Sequence, residues 1–267
     1  MIDISVIIPT FRRQDQLVEA IDSVLAQQHV TVEVIVIDDS PEGSARSVVE
    51  GRDPRVTYLQ RDPPSRGKPA LVRNSGWPRA SGRFVHFLDD DDRVAKDFYR
   101  DAVAQFEAHP RQGMVFGRIE PFGEDEASVA HERAFFADAA RRAKIAARVQ
   151  SRRWIVANLL FKRTLLVNSA CIIRRECLAA LDGYDTTLGL NEDVDLFCRA
   201  IRKFGFGFLD RVVVHYRINP NSLIHGREND DKLVESYQRM YSRYRQTHGA
   251  AELFAMKLLA RTVLRVL

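Results

Sequence analysis

The chain has 267 residues, 45% of them apolar and 28% charged, with 40 Lys and Arg against 36 Asp and Glu. That is enough apolar material for the core of one large α/β domain, and so mild a basic excess makes no case for nucleic acid while fitting an anionic substrate or membrane surface. No apolar run approaches the roughly 18–20 residues that cross a bilayer, and Cys171, Cys177 and Cys198, without CxxC spacing, read as reduced thiols of a cytoplasmic protein.

The opening "ISVIIPT" is a β-branched run ending near Pro9, the pattern of a buried parallel strand and not of a signal peptide. Leu17, Ile21, Val24 and Leu25 then recur at helical spacing. "VEVIVIDDS" is a second buried strand, closed by the turn formers "SPEGS", and "RVTYLQ" is a third. A helix over part of 68–80 precedes the strand "RFVHFL"; Tyr99, Val103 and Phe106 mark another helix, which stops at "HP". This alternation predicts a doubly wound, mainly parallel sheet with helices on both faces.

Beyond residue 110 the pattern loosens. "GMVFGRIEPFG" reads as strand and turn, 126–150 as helix, and "LLVNSACIIRRECL" as a strand entering a short helix. "DGYDTTLGLNEDVDLFCRAIRKFGF" gives a loop and a helix, "DRVVVHYRINPNS" a last strand and loop, and 229–267 is helical. Near the end, Lys257, Arg261 and Arg265 share one helix face; Leu253, Met256, Leu259, Val263 and Leu267 fill the opposite one. Such a helix either lies on an anionic membrane surface or packs on its own domain or a partner subunit.

Two predicted strands end in acid, at Asp38–Asp39 and at Asp89–Asp92. In an open parallel sheet, ligands bind beyond the carboxyl ends of the strands, so both acids would face one crevice. Asp38 and Asp39 equally suit a turn or a helix cap. Four adjacent carboxylates repel one another and suit a hard cation, Mn²⁺ or Mg²⁺, shared with substrate phosphates. An EF-hand is excluded, since positions six and twelve from Asp89 are Val94 and Arg100; no GxxxxGK[ST] occurs, and no GxGxxG follows a strand. Between the acids lies "SRGKPALVRNSG", a loop suited to close approach to an anion before entering a helix, with Arg73 on that helix. Asn191, Glu192 and Asp193 precede an amphipathic helix and fit an N-terminal cap.

In order, "SVIIPTFRR", "VIVIDDS", "GKPALVRNSG", "FLDDDD", "GYDTTLGLNEDVDLFCR" and "HYRINPNS" span about residues 4 to 222, and this set resembles the family 2 glycosyltransferases of the GT-A fold. The resemblance implies a Rossmann-like GT-A catalytic domain over 1–228, with a nucleotide-sugar half at 1–100 and an acceptor half at 101–228, followed by C-terminal helices at 229–267. It implies a nucleotide-sugar donor, often a UDP-sugar, met by Pro9, Thr10, Asp38, Asp39, Arg73, Asp89 and Asp90, with Asp39 at the base. Asp91 would ligate Mn²⁺ or Mg²⁺ in an Asp89-x-Asp91 motif, and His215 would either join it or serve the strand beside it. Arg217 would meet the diphosphate or pair with an acid. Asp193 would be the general base and Glu192 would orient the acceptor, in one inverting displacement. The acceptor would be a saccharide or a lipid-linked sugar used in cell-surface polysaccharide, lipopolysaccharide or glycolipid assembly. The enzyme would be cytoplasmic, touching the inner membrane face or a second copy through 250–267. The alternatives are a nucleotidyltransferase, for which "PTFRRQDQ" lacks glycine, and a non-catalytic homologue, for which the acids are too complete.

"QSRRW", residues 150–154, matches the Gln-x-x-Arg-Trp signature of processive polysaccharide synthases. In those enzymes it follows the Glu-Asp motif, whereas here it precedes it, so the match reads as chance and the enzyme as non-processive. Acceptor specificity is expected within 118–165, where the resemblance is thinnest.

Overall fold

The computed structural model describes residues 1–161, 165–218 and 230–262. Its elements run β1 (Ile4–Thr10), α1 (Gln14–Leu25), β2 (Val32–Asp38), α2 (Arg46–Val49), β3 (Val56–Gln60), α3 (Pro69–Gly76), β4 (Phe84–Phe87), β5 (Arg93–Val94) and α4 (Phe98–Ala108). They continue with β6 (Met114–Phe122), α5 (Glu126–Arg148), α6 (Arg152–Phe161), β7 (Cys171–Arg174), α7 (Arg175–Ala179), α8 (Glu192–Phe204), β8 (Phe206–Arg217), α9 (Asp230–His248) and α10 (Ala250–Thr262).

The strands form one mixed sheet in the order β3-β2-β1-β4-β7-β6-β8-β5. β1, β2, β3 and β4 are parallel, β7 runs against both β4 and β6, and β8 runs parallel to β6. The sheet therefore has two unlike ends along the strand direction. Thr10, Asp38 and Asp89 emerge at one; Phe84 and its partner Arg174 lie at the other with Met114 and Phe206.

Alternation along the strands divides the core into two layers. Ile7, Ile35, Ile37, Val85 and Phe87 face α3, α6 and α8; Ile4, Val6, Ile8, Val34 and Val36 face α1 and α4 through Leu17, Ile21, Phe98 and Phe106. The near-continuous apolar runs of β1 and β2 follow from burial on both faces.

β5 and α2 have no counterpart in the sequence pattern, because two and four residues are too short to show a period. β5 pairs only because β8 is long enough to reach it, Arg93 opposite His215. β8 also begins earlier than "DRVVVHYR" suggests, at Phe206.

The expected apolar stripe of the last helix faces inward. Met256 and Ala260 are buried, Leu253 and Leu259 pack against the same core layer, and α10 lies on α6 and α9. Val263, Arg265 and Leu267 lie outside the described residues. Among the described residues no helix is long and apolar enough to cross a membrane.

Candidate active site

The crevice forms where β1 and β4 run side by side and the strand order turns from β1–β2–β3 to β4 and beyond. Thr10, the last residue of β1, donates through Oγ1 to Asp90 Oδ2 at 2.8 Å, so the two strand ends are tied at the mouth. Pro9 is half-buried beside it, paired in register with Ile37.

The adjacent acids Asp38 and Asp39 part company. Asp38 is fully buried, with Oδ1 accepting from the Ser40 backbone N–H and hydroxyl and Oδ2 from the Ala45 N–H and the Tyr58 hydroxyl. Four donors fill its lone pairs. Asp38, expected at the nucleotide, thus closes the turn after β2. Asp39 accepts from the N–H and hydroxyl of Ser65, at 2.7 and 2.5 Å, which pins the "SRGK" loop and leaves acceptor capacity on each oxygen.

The four aspartates also diverge. The Asp89 carboxylate pairs with Arg73 at 2.7 Å. Asp90 turns to Thr10 and Arg13; burial pushes its carboxyl up to about 6, against the pull of Arg13. Asp91 lies 2.7 Å from the Arg13 guanidinium, and burial with the nearby Asp89 charge raises it. Asp92 points inward. Its Oδ1 accepts from the Arg217 N–H at 2.9 Å, while Oδ2 has no hydrogen-bond partner among the described residues, and burial with Asp91 and Asp89 raises it far above the usual range.

A buried layer supports this turn. The Asp89 N–H donates to Ser169 Oγ at 3.1 Å. Ser169 O accepts from His86 Nε2 at 3.0 Å, which leaves Nδ1 to accept from the Tyr99 hydroxyl at 2.7 Å. Burial lowers His86 to about 4, so the ring stays neutral and keeps this donor pattern.

The donor set suits a hard divalent cation. It consists of oxygens, three of its carboxyls are raised by burial and by one another's charge, and one buried oxygen has no partner among the described residues. No cluster of three His, Cys, Asp or Glu ligands is assembled among the described residues, so a substrate and water would have to complete the shell. His215 is not brought to this cluster. It sits across from Arg93, and its charged neighbours are Arg93 and Glu120; alternation along β8 sends the next residue, Tyr216, toward Asp92, Asp89 and Asp91 instead. The register thus sets His215 beside Arg93 and Glu120. Arg217 has its guanidinium on Glu19 at 2.6 Å and on the Asp91 carbonyl at 2.9 Å.

The opposite wall is the start of α8. Asn191 adopts φ 57° and its side chain makes no capping bond, so this segment is not the simple N-cap its composition suits. The left-handed step aims Glu192 and Asp193 into the crevice. Glu192 accepts from Arg73 Nη1 at 2.6 Å. The Asp193 carboxyl is pushed up to about 7 by burial and by the Glu192 charge, with Arg73 and the Val194 N–H pulling the other way.

Asn74, next to Arg73, holds the loop before α8: its Nδ2 donates to Tyr184 O at 2.8 Å and its Oδ1 accepts from Tyr184 N at 3.0 Å. Gly183, at φ +64°, permits this approach, since a Cβ there would stand 2.5 Å from Asn74 Oδ1. The Tyr184 ring lies over the Arg73 guanidinium at 5.6 Å.

The sequence reading missed Arg13, Asn74, Ser169, Tyr184 and Tyr216 as members of the site. Arg13 and Asn74 stand inside quoted segments and carried a signal of position. Tyr184 and Tyr216 also stand inside such segments; Ser169 lies outside those that carry the resemblance, and only register brings it here. Of the "QSRRW" match, Arg153 pairs with Glu252 and Trp154 is buried in the core, away from the crevice.

The sequence profile described as "Glycosyl transferase family 2" matches residues 5–178. The succinoglycan biosynthesis protein ExoO of Rhizobium meliloti is 38% identical over 114 residues, 42% of this chain and 32% of that protein. The GalNAc(5)-diNAcBac-PP-undecaprenol beta-1,3-glucosyltransferase of Campylobacter jejuni is 42% identical over 94 residues, 34% of this chain and 30% of that protein. Each aligned stretch thus spans about a third of the relative. In overall fold the chain is similar to residues 1–349 of TarS from S. aureus, with a TM-score of 0.69 over 96% of this chain and 71% of that one, at 17% identity.

Proposed function

The chain belongs to glycosyl transferase family 2, and from that premise we propose that it moves a single sugar from a nucleotide-sugar, of the UDP type, to a hydroxyl on a saccharide or lipid-linked acceptor. The product would enter a cell-surface polysaccharide or glycolipid. The names of the two relatives support that direction, one a succinoglycan biosynthesis protein and the other acting on an undecaprenol-linked glycan.

Donor recognition falls to residues 1–100 and acceptor recognition to 101–228. Asp39, held by Ser65, accepts from the base. Pro9 and Thr10 line the nucleoside, and Asp90, tied to Thr10, keeps its neighbours in register. Asp91, with Asp89 beside it, would hold Mn²⁺ or Mg²⁺, which when bound supplies positive charge for the departing diphosphate. Arg13, already at Asp90 and Asp91, adds a fixed cation on the same side. Across the crevice, Glu192 is fixed by Arg73 and orients the acceptor hydroxyl, and Asp193 removes its proton as the oxygen attacks. Base and leaving group on opposite walls give inversion in one step. Transfer stops after one sugar, since the Gln-x-x-Arg-Trp match lies outside the crevice.

The observation that carries the reading is Asp193, a carboxyl poised near neutrality on the wall facing the aspartate turn. The test is Asp193→Asn, assayed by sugar transfer and by donor binding in a thermal-shift titration. Transfer should fall at least about a thousandfold, the upper part of the range for a general base, with donor binding kept. Near-normal turnover would remove Asp193 as the base.

A further inference from the structure

At the strand ends opposite the crevice lie two adjoining cavities of about 400 and 530 Å³, which share Pro110, Arg111, Arg152 and Phe204 in their walls. Strand polarity places them there: Arg174 is paired with Phe84 at the start of β4, four strand residues ahead of the aspartate turn, and Phe206 opens β8. Arg174 and Lys203 line the larger cavity as well, so four permanent cations meet one carboxylate, Glu176, among the described lining residues.

These cations are not neutralised by the protein. Arg174 donates from Nε to Gln112 O at 2.8 Å and from Nη2 to Phe106 O at 2.7 Å, and its guanidinium stands 4.8 and 5.4 Å from the Phe106 and Phe84 rings. Arg152 donates from Nη1 to Lys203 O at 3.2 Å. Lys203 reaches Ala180 O at 3.4 Å. Every one of these partners is a neutral carbonyl, which orients the cation and leaves its charge uncompensated. Arg111 is exposed and makes no hydrogen bond or ion pair among the described residues. Gly205 completes the wall. Its backbone, at φ +79°, favours glycine, and the Arg152 guanidinium lies alongside it.

We propose that this basic cavity binds a phosphate-bearing anion, at a site separate from the sugar-transfer crevice. Arginine forks match phosphate oxygens in pairs. Four cations against one acid call for at least two negative charges, and the connected volume admits a diphosphate. The Phe204 ring in its wall is already covered by the Lys203 ammonium at 5.1 Å. The phosphate comes either from a free diphosphate or from the head group of an anionic lipid.

Hydrogen–deuterium exchange of the full chain with inorganic diphosphate reads the two sites separately: 108–113 and 203–206 report the far cavity, 65–73 and 89–92 the crevice. Diphosphate should protect the first pair of segments in the wild type. In Arg111→Gln/Arg152→Gln, two exposed changes that leave the core intact, that protection should need at least about tenfold more diphosphate, with exchange in the crevice segments unchanged. Sedimentation with vesicles of phosphatidic acid in phosphatidylcholine, against phosphatidylcholine alone, identifies the source. Recruitment by phosphatidic acid that the double variant loses assigns a lipid head group; protection by diphosphate without recruitment assigns a free anion. Protection that the double variant retains, or neither protection nor variant-sensitive recruitment, overturns the proposal.

Discussion

Arg73 donates from Nη1 to Glu192 across 2.6 Å, joining residues 119 positions apart. Its Nη2 reaches Asp89 at 2.7 Å, so one buried guanidinium ties the aspartate turn to the wall that carries the proposed base. Both carboxylates depend on it for charge. Truncating one partner of a buried pair leaves the other uncompensated, at a cost of about 3–5 kcal/mol. Arg73→Met should lose that much in urea unfolding, and Arg73→Met/Glu192→Met should recover part of it. Additive losses in the double variant would mean that Arg73 and Glu192 are not coupled.

The Asp193 carboxyl, raised to about 7, sets the pH profile. A base works when deprotonated, so kcat/KM should rise about tenfold per pH unit below 7 and level above it. Burial and Glu192 raise this carboxyl, so Glu192→Gln should move the acidic limb to lower pH whatever it does to the maximum. The stability linkage has the opposite sense. A carboxyl raised by folding stabilises the fold fully below its unfolded value, near 4, and that contribution is lost as pH rises through 7. Asp193→Asn should therefore resist urea better than the wild type at pH 8 and equally at pH 4. A limb that stays near pH 7 in Glu192→Gln would contradict the assignment of cause.

The parallel half of the fold was legible because β1, β2 and β4 are near-continuous apolar runs, as burial on both faces demands, and β2 and β4 stop at acids. The helices α1, α4 and α8 carried their own period. What escaped the sequence depends on partners far along the chain. β5 exists through β8, and Ser169 and Tyr216 reach the aspartates through register alone. Asp38 and Asp39 look alike in sequence; only the turn that fills every lone pair of Asp38 tells them apart. His215 shows the same limit, since a lone histidine at a strand end does not reveal its face.

That difference between the paired acids is measurable. Asp38→Asn replaces two charged acceptors with one amide and leaves a donor facing donors, so it should cost about 1–3 kcal/mol of stability while donor affinity in the folded protein stays unchanged. Asp39→Asn should do the reverse: little loss of stability, and about tenfold weaker binding of UDP in isothermal titration. Equal effects of the two variants on UDP affinity would restore Asp38 to the nucleotide site.

The Arg13 guanidinium stands where Asp90 and Asp91 converge, at 3.1 and 2.7 Å, and it competes there with any added cation. Without nucleotide, Arg13→Gln should bind Mn²⁺ more tightly than the wild type, and Asp91→Asn at least about tenfold more weakly, both read from the free-Mn²⁺ signal in electron paramagnetic resonance. His215→Ala should leave that signal unchanged, since its charged neighbours are Arg93 and Glu120. Loss of Mn²⁺ binding in His215→Ala would restore it as a ligand.

The C-terminal helix is held from both ends of its inner face. Glu252 takes Arg153 and Arg202, each at 2.7 Å, and Met256 and Ala260 are buried against the layer that also contains α6 and α8. A helix on a membrane would turn Leu253, Met256 and Leu259 outward, and here those residues pack on the protein. Met256→Ala should therefore cost about 2–5 kcal/mol. Truncation after Gly249 should lower the unfolding midpoint further, because it uncovers Tyr241 and Tyr244 of α9 as well as α6. Neither change should alter sedimentation with anionic vesicles, whose proposed contact is at Arg111 and Arg152. A truncated chain that keeps its stability and loses vesicle binding would reverse this account and make α10 the membrane contact.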